Sequence, residues 1–90
     1  MFTVAVVEDD ETAVAKLRAC LDQYAATHAG VQFDVTVFNE PTSFLDPYKT
    51  VWDIVFMDIE MPNMDGMEAA HRLRAADSEV ILIFVTNMAQ

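Results

Sequence analysis

Ninety residues make one domain, and with 53% of them apolar the chain can build a core rather than remain disordered. Five basic residues stand against fifteen acidic ones, a formal charge of -10, which excludes nucleic-acid phosphates and anionic lipid as natural partners of this segment. Cys20 is the only cysteine, so an internal disulfide and a cysteine zinc cluster are excluded and a cytoplasmic location is expected; no apolar run has the length of a membrane span, and the amino terminus lacks a secretory signal.

In chain order, Phe2 to Val7 (FTVAVV) is a β-rich apolar run that stops at Glu8, Asp9 and Asp10. From Glu11 to His28, residues Val14, Leu17, Leu21, Tyr24 and His28 recur in steps of three and four, which predicts an amphipathic helix with Asp10 as N-cap and Gly30 as its stop. Val31 to Phe38 alternates Phe33, Val35 and Val37 with Asp34 and Thr36, the pattern of a strand at a sheet edge. A short helix is expected over Pro41 to Leu45. Trp52 to Met57 follows as a strand buried on both faces, and a helix capped by Asp65 runs through Met67, Ala70 and Leu73 to Ala76. The last strand, Glu79 to Thr86, contains VILIFV and also reads as buried on both faces.

The resulting βαβαβαβ order predicts an α/β fold, a doubly wound parallel sheet with helices on both sides. In VILIFV no charge, proline or glycine blunts an exposed edge, so this strand is expected either to adjoin a further strand of a longer domain or to pair with another chain, giving a homo-oligomer.

Two of the strands end in acids: Glu8 and Asp9 after the first, Asp58 after the third. In strand order 2-1-3-4 those ends are neighbours at the crevice where open α/β sheets bind ligands. Carboxylates that close either raise the pKa of one member or hold a cation, and an all-oxygen set suits magnesium, with the Glu60 carbonyl available to complete it. A carboxylate held against magnesium can attack a phosphoryl group. Asp58 is best placed for this, and the hydroxyl of Thr86, at the end of the fourth strand, is placed to hydrogen-bond a phosphoryl oxygen.

The acidic pair after VAVV, the segment MDIEMPNMDG and the threonine closing the fourth strand resemble the receiver domain of bacterial two-component response regulators, which has a flavodoxin-like fold. The resemblance spans residues 1–90 and implies a signalling switch with self-catalysed chemistry rather than an enzyme that turns over an external substrate. On it, Asp58 is the phosphoacceptor, Asp9 a direct and Glu8 a water-mediated magnesium ligand, Glu60 the carbonyl ligand and Thr86 the switch hydroxyl. The implied partner is a sensor histidine kinase. Receivers carry a fifth strand with a lysine and a fifth helix, and the chain stops before both, so the domain is expected to be carboxyl-terminally incomplete. The long first helix and the ending VTNMAQ are similar to the subgroup with LytTR-type DNA-binding output modules, which implies such a module in a full-length protein.

Two other functions fit parts of the pattern. Asp58 and Glu60 are spaced like the nucleophile and acid of haloacid-dehalogenase-type phosphatases, although those enzymes want aspartate where Glu60 stands. An interaction module pairing through VILIFV, with an idle acidic pocket, is the other. His28 and His71 are expected on helix surfaces away from the strand ends, and Cys20 as a small helix-packing residue.

Overall fold

The computed structural model describes residues 1–59 and 66–85. The elements are β1 (Phe2–Val7), α1 (Glu11–Thr27), β2 (Phe33–Phe38), α2 (Pro41–Leu45), β3 (Ile54–Asp58), α3 (Gly66–Ala76) and β4 (Ile81–Val85). The four strands form one parallel sheet in the order β2-β1-β3-β4, the doubly wound arrangement expected from the alternation of elements.

β1 lies inside the sheet, and Val4, Ala5, Val6 and Val7 are all buried there. Ala5 and Val7, with Val55 and Met57 of β3, form one face of the sheet against Phe44 and Leu45 of α2 and Ala69 and Leu73 of α3. Phe38, Tyr48, Trp52 and Leu82 pack around this cluster. β3 starts at Ile54, two residues after Trp52, because Asp53 already serves the sheet another way: its N–H donates to the Thr3 carbonyl and its carboxylate accepts the Thr3 N–H at 2.9 Å. Beyond α3, Asp77 accepts from the Tyr48 hydroxyl at 2.7 Å and from the N–H groups of Glu79 and Val80, tying the turn before β4 to the segment before β3. This bond holds the Asp77 carboxyl below its ordinary range, while burial and the same partner push the Tyr48 phenol above its own.

The opposite face is thinner. Asp10 caps α1 as expected, accepting the Thr12 N–H at 3.0 Å; the helix ends at Thr27 with His28 as its C-cap, short of the expected stop, and Gly30 turns the chain toward β2 with a φ of +86°, a conformation glycine adopts without a steric penalty. Yet α1 contains no buried residue; Val14, Leu17 and Leu21 are half-buried, and Tyr24, His28 and Cys20 are exposed. Cys20 therefore does not pack as expected. β4 departs further from expectation. Ile81 and Ile83 are 57% and 41% exposed, and Phe84 is 38% exposed, because β4 is a sheet edge among the described strands and α1 sits at the other side of the sheet, contacting β2.

Candidate functional site

The register of the sheet builds the site. Val7 of β1 is level with Met57 of β3, so the next residues, Glu8 and Asp58, emerge side by side. Glu8 and Asp58 are 96% and 97% buried, and Asp9 is exposed at the mouth. One carboxylate oxygen from each of Glu8, Asp9 and Asp58 lies within 4.8 Å of the other two.

Such crowding is unfavourable unless it is relieved. Oε2 of Glu8 accepts the Asp10 N–H at 3.1 Å, while Oε1 is buried with no hydrogen-bond partner among the described residues. Glu8 is pushed from its ordinary 4.5 up to about 7: burial raises it most, the Asp10 N–H pulls it down, and hydrogen bonding and charge from Asp58, with hydrogen bonding from Asp9, push it up again. An orphaned carboxylate oxygen beside two further carboxylates is a donor set that fits a small, hard divalent cation. It brings Glu8, Asp9 and Asp58 together as expected. Glu60, Thr86 and the expected cap Asp65 lie outside the described residues.

Gly66, the last residue of MDIEMPNMDG, has a role that the sequence pattern does not show. Its N–H donates to the Ile59 carbonyl at 2.7 Å, drawing the start of α3 onto the end of β3. A Cβ at Gly66 would lie 2.6 Å from the Ile59 Cα and collide with the Asp58 carbonyl oxygen. Only glycine permits this approach without moving backbone. Gly66→Ala is therefore expected to destabilise the fold by about 1–3 kcal/mol, the usual cost of forcing extra volume into packed structure. It should also weaken cation binding, since the displaced atoms include the Asp58 backbone carbonyl; urea unfolding and calorimetric titration with a divalent cation check the two effects.

The family model of the response regulator receiver domain matches residues 4–90. The chain belongs to that family. This receiver domain is 33% identical over 86 residues to the transcription factor SKN7 of Candida albicans, covering 94% of the chain and 14% of that protein. It is 32% identical over 87 residues to the sensory transduction protein BceR of Halalkalibacterium halodurans, covering 97% of the chain and 35% of that protein. The chain thus spans a minor part of these relatives. In fold it superposes on the response regulator TrrA of Thermotoga maritima, solved in complex with magnesium and a beryllium fluoride, with a TM-score of 0.81 at 22% identity; the match covers 99% of the chain and 72% of TrrA.

Proposed function

We propose that this receiver domain accepts a phosphoryl group on Asp58 from a sensor histidine kinase, in a magnesium-dependent reaction. The observation that carries the proposal is the convergence of Glu8, Asp9 and Asp58 at adjacent strand ends, with one buried carboxylate oxygen left unpaired. Asp9 and Asp58 would hold magnesium directly and Glu8 through water, with the Glu60 carbonyl as the further ligand. The metal supplies charge neutralisation to the phosphoryl oxygens.

The residues divide the remaining work. A carboxylate oxygen of Asp58 attacks phosphorus, forming an acyl phosphate as the bond to the donor breaks and the leaving group departs with its electron pair. The firm seat of Asp58 on β3 fixes the line of attack, and its near-complete burial limits water at the acceptor oxygen. Glu8, anchored by the Asp10 N–H, supplies negative charge below the site. The Thr86 hydroxyl would receive a phosphoryl oxygen and pass the change to the surface. The reaction is single-turnover and self-catalysed, in a cytoplasmic protein with an output module such as a DNA-binding domain.

Intact-mass measurement after incubation with acetyl phosphate tests this reading. One phosphoryl group should add in the presence of magnesium and none in its absence. Continuous release of inorganic phosphate from phosphate esters would instead favour the phosphohydrolase. The exposed side chains of β4 support a second possibility, self-association through that edge, and light scattering as a function of concentration addresses it.

A further inference from the structure

A second concavity lies apart from the acidic residues. It has a volume of about 310 Å³, within the range of small-molecule sites, and is lined by Phe38, Ser43, Phe44, Pro47, Lys49 and Trp52. Phe44 is the buried member, 2% exposed, and Phe38 and Trp52 are half-buried around it. The rings meet at steep angles: Phe38 lies 5.2 Å from Phe44 at 61° and 5.7 Å from Trp52 at 88°. A further aromatic ring entering the cavity would extend this edge-to-face packing.

The charge at this cavity is the reverse of the protein's as a whole. Fifteen acidic residues dominate the sequence, yet among the described residues no carboxylate lines the cavity, and the one ionised side chain among them that does is the exposed Lys49. Among the described residues Lys49 makes no ion pair. An aromatic wall alone also attracts organic cations. Here such a cation would meet the ammonium of Lys49 and find no lining carboxylate, whereas an aromatic acid would gain both the ring contacts and the charge. We propose that the cavity formed by Phe38, Phe44 and Trp52, with Lys49 beside it, is a binding site for a small aromatic carboxylate, separate from the phosphoacceptor.

Trp52 is the only tryptophan, so its indole N–H gives a single resonance from a residue that lines the cavity. The experiment follows that resonance in the ¹⁵N-labelled chain during titration with 3-phenylpropionate, 3-phenylpropan-1-ol and phenethylammonium. A saturable shift is expected with the carboxylate. The alcohol should bind about fivefold more weakly, the scale of one solvent-accessible ion pair, and the ammonium more weakly still. Lys49→Gln should reduce carboxylate affinity to that of the alcohol, and Lys49→Glu should reverse the preference in favour of the ammonium. Lys49 is exposed, so neither change disturbs the core. The proposal is overturned if the carboxylate gives no saturable shift, if all three probes bind alike, or if Lys49→Gln leaves the carboxylate affinity unchanged.

Discussion

Asp58→Asn is expected to abolish phosphoryl uptake from acetyl phosphate while leaving the far-ultraviolet circular dichroism unchanged. The amide of asparagine is too poor a nucleophile to form a stable acyl phosphate, so the loss should be complete rather than graded. The fold should survive because asparagine matches aspartate in shape and the backbone of residue 58 continues the β3 ladder, level with Val85 of β4. Intact mass with and without magnesium gives the result, and peptide mapping locates any residual group. The informative competitor is Asp9, which shares the cluster and is exposed. Phosphate found there in the variant would mean that proximity to the cation, rather than the seat on β3, selects the acceptor.

The second large effect is on stability. With no divalent cation, the protein is expected to lose stability as pH rises from about 4.5 to about 7. In that window the unfolded chain has released the Glu8 proton and the folded chain still holds it, so raising the pH removes a proton that only the folded state binds. That contribution is present in full below 4.5 and is lost once the pH passes about 7. Magnesium at pH 8 should restore much of it, because binding to the folded state alone adds stability by mass action. Glu8→Gln should flatten the pH dependence and raise the cation-free stability at pH 8, at the cost of weaker magnesium binding. Urea denaturation at pH 5 and pH 8, with chelator or with magnesium, measures each of these terms.

Much of this arrangement was legible in the sequence because its signals are local. The apolar runs that end in Glu8 and in Asp58, and the intervening helical spacing, were enough for a doubly wound parallel sheet, and with the strand order of the fold that the MDIEMPNMDG segment resembles they bring the three acids together. Asp10 as N-cap was equally readable, since capping depends on residue type within one turn, whereas the helix ends at Thr27 with His28 as its C-cap, ahead of the glycine at 30. What escaped depends on distant neighbours. VILIFV has the composition of a strand covered on both faces, but composition does not say which layer covers it, and Ile81 and Ile83 are exposed. Leu17 and Leu21 keep helical periodicity while remaining only half-buried, for the same reason. The pinch at Gly66 was hidden because a glycine after an aspartate reads as loop chemistry, whereas its function is the backbone approach to Ile59.

The unequal layering of the sheet bears on how the molecule breathes. The layer holding Phe44, Leu45, Ala69 and Leu73 is tightly packed, whereas α1 rests on its side of the sheet without a single buried residue. Amide exchange should therefore separate two cooperative units: β1, β3 and α3 opening only with global unfolding, and α1 opening at a lower free energy. The boundary between them falls at Glu8, Asp9 and Asp10. A charge gained or neutralised in that cluster acts where the loose unit is hinged to the firm one, and so can change how often α1 lifts away while the sheet beneath stays whole.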